Sequence, residues 1–390
     1  MSFLAVLSSV KEPATFKEAS SCKEWVRAMQ DEVNALEQNA TWTVVDLPPG
    51  KKAIGSKWVY KVELQANGQV ERYKARLVAK GYNQQEGLDY HETFSPVAKM
   101  VTVRTTIGVV ASQDWPLYQM DVHNAFLQGD LLEDVYMEMP QGFQTQGENK
   151  VCKLLKSLYG LKQASRQWNQ KLTEALLSIG YSQSSYDYSL FTKRDGEDIA
   201  VILIYVDDLL ITGNSNKLIQ ELKDSLHSRF KMKDLGVLKF FLGIEIMRSK
   251  SGILLNQRKY ALELISDTGL SGAKPVNTPL ETNVKLTTVE YDELTGTTAD
   301  PILKDITGYQ RLVGRLLYLT ITRPDISFAA QVLSQFMQHP KRSHWEAALR
   351  VVRYIKSCPG QGMLLSSKRS WNLKYSVMQT GQLVPTQGGL

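Results

Sequence analysis

Apolar and polar positions along the chain fall into two periods, and each period predicts an element. Over residues 11–40, Trp25, Met29, Val33 and Leu36 recur at helical spacing, so one helix with a core-facing side is expected. Residues 41–47 alternate with period two and read as a strand, ended by Pro48-Pro49-Gly50. Residues 57–64 and 71–79 read as a hairpin around Asn67-Gly68, a dipeptide suited to a type I′ turn. Helices are expected over 101–113 and 217–230, and strands over 117–122, 135–140, 240–246 and 252–256. Residues 153–179 carry a glycine-containing segment that leads into a helix with Trp168 and Leu172 inward. Residues 271–305, rich in Thr, Pro, Asn and Gly, lack periodicity and read as a linker or long loop. Three helices follow, over 309–320, 325–337 and 344–356.

The densest apolar stretch is 199–213, Ile-Ala-Val-Ile-Leu-Ile-Tyr-Val-Asp-Asp-Leu-Leu-Ile-Thr-Gly. It reads as a strand, a tight turn on Asp207 and Asp208, and a second strand. Turns favour acids, so a surface hairpin would account for the pair. The flanking runs are apolar at nearly every position, which points instead to strands covered on both faces.

Composition narrows the class. With 43% hydrophobic and 22% charged residues among 390, the chain is neither disordered nor membrane-embedded, and it is long enough for two or three domains or subdomains. The longest apolar run is broken by Asp207 and Asp208, and the first ten residues lack the basic start and apolar core of a secretory signal. Cys22, Cys152 and Cys358 are scattered and odd in number, which fits a reducing compartment and argues against a zinc site or a disulfide framework. The net charge is +6, and basic residues cluster at Lys51, Lys52, Lys57 and Lys61, at Arg72, Lys74, Arg76 and Lys80, and again from Lys150 to Arg166. Period two puts Lys74, Arg76 and Lys80 on one strand face, which could hold phosphates or simply face solvent.

Two adjacent acids beside apolar strands repel each other and resist desolvation unless a cation joins them. Asp121 closes the strand predicted over 117–122, and neighbouring strands would bring it to the pair. Magnesium is held by a few carboxylates together with substrate phosphates. Two such ions can promote in-line attack by a 3′-hydroxyl and departure of pyrophosphate. Spacing alone leaves nucleotidyl transfer and metal-dependent nuclease chemistry both open.

Longer strings narrow the choice. Tyr205-Val206-Asp207-Asp208 resembles the catalytic box of reverse transcriptases, and Gln119-Met120-Asp121-Val122-His123-Asn124-Ala125-Phe126-Leu127 resembles their first aspartate motif. The polymerase of plant copia-type LTR retrotransposons is resembled by Arg72-Tyr73-Lys74-Ala75-Arg76-Leu77-Val78-Ala79-Lys80-Gly81, Glu92-Thr93-Phe94-Ser95-Pro96-Val97, Ser157-Leu158-Tyr159-Gly160-Leu161-Lys162-Gln163-Ala164 and Phe241-Leu242-Gly243-Ile244. The likeness runs from about residue 12 to 362.

The resemblance implies an α+β right-hand polymerase fold of fingers, palm and thumb, with a mixed or antiparallel palm sheet and a helical C-terminal subdomain. It implies a helical segment at 1–40, fingers and palm over 41–270, a linker at 271–305 and a helical thumb or connection at 306–362. Asp121 and Asp207 would be the main ligands of two magnesium ions, with manganese as a substitute and Asp208 as the less directly engaged acid. Phe126 would block a ribose 2′-hydroxyl, Gly160 and Gln163 would line the nucleotide and template pocket, and Lys74 or Arg76 would contact the triphosphate. The implied partners are an RNA template, a DNA or RNA primer and dNTPs, with no membrane. The oligomeric state is not specified, and the family's copying takes place in cytoplasmic particles.

One departure from the family follows the last helix. Its RNase H domain opens on Tyr-Cys-Asp-Ala-Asp-Trp, whereas this chain reads Tyr375-Ser376-Val377-Met378-Gln379-Thr380-Gly381 and on to Leu390. Written in permitted codons and read from the last base of the Ser376 codon, the tail gives Cys-Asp-Ala-Asp-Trp-Ala-Ala. An out-of-frame tail at 375–390 in place of RNase H is therefore expected, in a fragment of a longer polyprotein. The competing expectation is a retrotransposon remnant that binds nucleic acid without polymerising.

Overall fold

The computed structural model describes residues 12–64, 70–143, 150–296 and 300–368, with the backbone of 378–379 and 382–383. The expected Asn67-Gly68 turn lies outside the described residues, as does the tail at 375–390 apart from those two segments. The chain divides into two compact units, Met1–Lys99 with Tyr118–Gly236, and Met100–Leu117 with Val237–Leu390.

In the first unit, a short helix α1 (Phe16–Ala19) precedes α2 (Lys23–Gln38). The single helix expected over 11–40 is thus broken at Ser20–Cys22, because the Ser20 and Ser21 hydroxyls both bond back to the Lys17 carbonyl and compete with helix continuation. Trp25, Met29, Val33 and Leu36 are buried as their spacing predicts. They pack on the long hairpin of β3 (Ser56–Leu64) and β4 (Val70–Ala79), whose Ala75, Leu77 and Ala79 point inward. Residues 72, 74 and 76 consequently face away from that core. Beside it, β1 (Trp42–Asp46), β7 (Lys150–Leu154), β6 (Tyr136–Glu138) and β2 (Ala53–Ile54) form a four-stranded sheet in that order.

A six-stranded sheet carries the acids. Its order is β12 (Met232–Val237), β5 (Leu117–Val122), β11 (Asp208–Gly213), β10 (Asp198–Tyr205), β9 (Leu190–Asp195) and β8 (Ser182–Gln183). Met120, Val122, Ile202, Ile204, Leu209 and Ile211 pack on one face against α4 (Ala164–Ser178) and α5 (Asn216–Arg229). On the opposite face Leu203 and Leu210 are also fully buried, so the strands are covered on both sides as their composition predicts.

In the second unit, α3 (Met100–Gln113) accompanies a sheet ordered β13 (Phe240–Phe241), β14 (Ile244–Ser249), β15 (Gly252–Asn256) and β16 (Met363–Ser366). A helical core is built from α6 (Arg258–Asp267), α8 (Ile306–Leu319), α9 (Ser327–Ser334) and α10 (Arg342–Ser357). The stretch expected to be a linker is anchored to this core. Leu280, Leu286 and Leu303 pack against it, as does Leu270 just before the stretch, and a short helix α7 (Val289–Thr295) presents Asp292 to the buried Lys341 ammonium. Thr287 accepts a further bond from Lys341 at 2.9 Å, and Asp300 lies 3.6 Å away. Isolated apolar residues without periodicity were enough to fix a segment that has almost no regular structure.

The fold is mixed α and β throughout, and no described helix is long and apolar enough to cross a membrane. One close backbone approach is at Gly160, where φ is +91° and a Cβ would meet the Ala79 carbonyl oxygen at 2.1 Å. Gly160→Ala therefore lowers the melting temperature by several degrees, since the strained conformation alone costs about 1–3 kcal/mol. Gly108→Ala in α3, where nothing lies within 4 Å of the added Cβ, is expected to raise stability by about 0.5–1 kcal/mol in the same thermal melts.

Candidate active site

The site begins with a two-residue connection. Tyr205 pairs with Asp208 across β10 and β11, so the turn falls on Val206 and Asp207, one residue earlier than the sequence pattern suggests. Val206 takes a φ of +57°, a conformation that β-branched side chains rarely adopt. Two contacts hold it there. The Trp168 indole N–H donates to the Val206 carbonyl at 2.8 Å, and the Val122 amide donates to the Asp207 carbonyl at 3.0 Å. The second bond ties the end of β5 to the turn, so Asp121 comes to the acidic pair.

Period two then sorts the side chains. Met120, Val122, Leu209 and Ile211 face the helices, which leaves Gln119, Asp121 and Asp208 on the opposite face. Gln119 donates to the Asp208 carboxylate at 3.0 Å, and Asp207 is exposed at the turn. Desolvation raises the Asp207 carboxyl above its ordinary value, and Asp121 pushes in the same direction, while the turn backbone and Arg76 oppose the shift. Asp208 is likewise raised, mainly by desolvation and then by Asp207 and Asp121, against the Gln119 hydrogen bond. Among the described residues, no set of three His, Cys, Asp or Glu side chains is already arranged to hold a metal ion. The chemistry of the donors nevertheless suits a hard cation: an oxygen-only set whose members destabilise one another in the charged form.

Arg76 and Lys74 separate clearly. Lys74 pairs with Glu63 at 2.9 Å, and Arg72 binds the same carboxylate. Arg76 instead turns toward the acids, donating to Asn124 and lying 4.6 Å over the Tyr159 ring. Phe126 packs edge-on against the same ring at 5.2 Å and touches both cores of this unit. The Tyr159 hydroxyl is pushed up by burial, with Arg76 lowering it and Asp207, Glu32 and Asp121 raising it further. Phe126, Tyr159 and Arg76 thus form one wall next to the carboxylates.

Gly160 and Gln163 have other surroundings. The Gly160 backbone is pressed on β4, where the Ala79 amide donates to the Tyr159 carbonyl at 2.7 Å. Gln163 is fully buried, donates to the Asp89 carbonyl at 3.0 Å and accepts from Gln84 at the same distance. Its amide is occupied in fastening the 84–89 loop and does not face an open pocket. Tyr205 is half-buried in its strand on the face shared with Asp208. The sequence pattern did not assign Tyr159, Asn124 or Gln119 to the site, and it placed Trp168 inward, where it is buried, without showing that its indole holds the turn.

A family model described as reverse transcriptase (RNA-dependent DNA polymerase) matches residues 39–282. The chain belongs to the reverse transcriptase family. It is 45% identical over 369 residues to the retrovirus-related Pol polyprotein from transposon RE1 of Arabidopsis thaliana, covering 94% of this chain and 25% of that protein. The corresponding polyprotein from transposon TNT 1-94 of Nicotiana tabacum is 41% identical over 369 residues, covering 91% of this chain and 27% of that one. The reverse transcriptase chain thus spans about a quarter of these curated relatives, and the copia-type likeness read from its motifs holds along nearly all of it. A solved foamy viral protease–reverse transcriptase in complex with double-stranded DNA covers 85% of this chain and 48% of its own at 11% identity and a TM-score of 0.40, a likeness too loose to carry weight.

The raised carboxyls give a prediction with a definite sign. A carboxyl whose folded pKa is raised costs stability once pH exceeds the unfolded value, and the cost is fully present above the folded value. Asp208→Asn and Asp207→Asn should therefore melt higher than the parent chain at pH 7, with the advantage disappearing as pH falls below about 4. Calorimetric melts from pH 3 to pH 8 measure it, and a constant difference across that range would contradict the assignment.

Proposed function

We propose that this chain is the polymerase core of a copia-type Pol polyprotein, extending a primer 3′-hydroxyl on an RNA template with dNTPs. The observation that carries this reading is the placement of Asp121 and Asp208 on one sheet face with Asp207 at its edge, each of the paired acids strained toward its neutral form. Asp121, Asp207 and Asp208 would hold two magnesium ions, or manganese in their place. Bound there, the ions supply charge neutralisation at the attacking and leaving oxygens.

The remaining roles follow from this chain's own side chains. Arg76 is the better candidate for the triphosphate, because its guanidinium is turned to the acids while Lys74 is engaged by Glu63. Phe126 would stand against the sugar and exclude a 2′-hydroxyl, with Tyr159 bracing its ring. Gly160 and Gln163 would act by positioning, since both fix the segments that frame this wall. Template and primer would be held largely by contacts to their phosphates.

Primer extension by the purified chain with magnesium and dNTPs on an RNA template tests the reading. Asp207→Asn should reduce extension about a thousandfold or more while leaving primer–template binding intact. Extension absent from both proteins, with binding retained, would favour the binding-only remnant. Phe126→Ala should raise incorporation of ribonucleotides relative to deoxyribonucleotides by about tenfold or more, and Arg76→Ala should raise the KM for dNTPs more than it lowers kcat.

A further inference from the structure

On the first unit lies a polar cavity, of about 310 Å³, that none of the catalytic motifs accounts for. It is walled by five segments: the end of α2 at Asn39, Gln128, the residue Lys156 after β7, Lys171 on α4, and the stretch from His227 through Arg229 to Lys231 that leaves α5. Four cationic side chains therefore converge on one concavity from segments far apart in sequence.

Their partners do not cancel them. Among the described residues, only Lys171 has a carboxylate partner, Asp130 at 2.7 Å. Lys156 is half-buried and reaches the Asn39 side-chain oxygen at 3.4 Å. Arg229 donates to the Ser178 hydroxyl at 2.6 Å and to the Ala175 carbonyl at 3.3 Å, both neutral acceptors. Lys231 is exposed at the rim. Four cations against one acid leave an excess of three positive charges within a cavity wide enough for a small anion. Desolvation first, then Lys171 and Lys231, depress the Lys156 ammonium, and Asp130 offsets this only in part, so the cations of the cluster still disfavour one another. The carbonyl end of α5 also borders the cavity, and Arg229 and His227 of its last turn offset that partial negative charge.

We propose that this cavity is a binding site for a phosphate bearing more than one negative charge, either a terminal phosphomonoester of a nucleic-acid strand or a free polyphosphate. The excess of three positive charges matches a multiply charged oxyanion better than one backbone phosphodiester, and converging Lys and Arg heads are suited to oxygen acceptors arranged around phosphorus. A solvated basic surface would spread its charges outward, whereas here a partly desolvated lysine is kept beside two other cations. The site is independent of the polymerase reading, because it uses neither the acids nor Arg76.

The test is calorimetric titration of the whole chain with tripolyphosphate in EDTA, so that no divalent ion bridges the probe to the acids. Saturable binding is expected, weakened about tenfold by Lys231→Ala and more by Lys156→Met with Lys231→Ala. Arg76→Ala should leave it unchanged. A second titration compares one oligonucleotide with a 5′-phosphate and with a 5′-hydroxyl. A preference for the phosphorylated end that Lys231→Ala removes identifies a strand terminus as the source, and tripolyphosphate binding without that preference identifies a free polyphosphate. Binding of neither probe, or affinities equal in the parent and the Lys231→Ala chain, would overturn the proposal. Lys231 is exposed, so loss of folding is not an alternative explanation, and an unchanged melting temperature verifies that.

Discussion

The site depends on a turn that Val206 makes at positive φ. A β-branched residue in that region costs about 1–2 kcal/mol, and a longer loop would avoid the cost. The tight connection is retained by the indole of Trp168 on one carbonyl and the amide of Val122 on the next. Both contacts come from elements that already pack in the same core, α4 and β5. Core packing thus fixes the backbone of the turn, and the turn fixes where the carboxylates stand.

The electrostatics follow from that placement. Strands buried on both faces bring three acids to one sheet end with Asp208 half-buried, and the protein does not neutralise them fully. Gln119 satisfies one oxygen of Asp208, and Arg76 lowers Asp207 from a distance. Neither removes the repulsion. Arg76 is itself held by Asn124 and the Tyr159 ring, so it cannot collapse onto the acids and occupy the space beside them. An acid cluster left under-compensated beside a restrained cation is the arrangement expected of a site that takes both a cation and a phosphate chain.

Much of this was legible in the sequence, for physical reasons that can be named. Apolar runs on either side of Asp207 and Asp208 announced strands buried on both faces, and the helical spacing of Trp25, Met29, Val33 and Leu36 announced a core-facing helix. The motif strings placed the chain in its family. Periodicity could not show that the turn lies on Val206 and Asp207, because both registers leave an acid at the tip. Nor could it show that Gln163 is buried under the 84–89 loop, since a long polar side chain at a helix start has no pattern to betray its partners. The segment 271–305 escaped for a related reason: three scattered leucines and the acids that face Lys341 fix it, and none of them repeats.

Asp207 and Asp208 are paired acids whose charged forms are disfavoured, and under the proposed function a divalent cation would relieve them. Carboxyl-carbon NMR titration of the two residues, with and without magnesium, measures this directly. Both groups should titrate above the ordinary aspartate value in the free chain and well below it once magnesium is present. Ordinary values in the free chain, or values that magnesium leaves unmoved, would contradict the account.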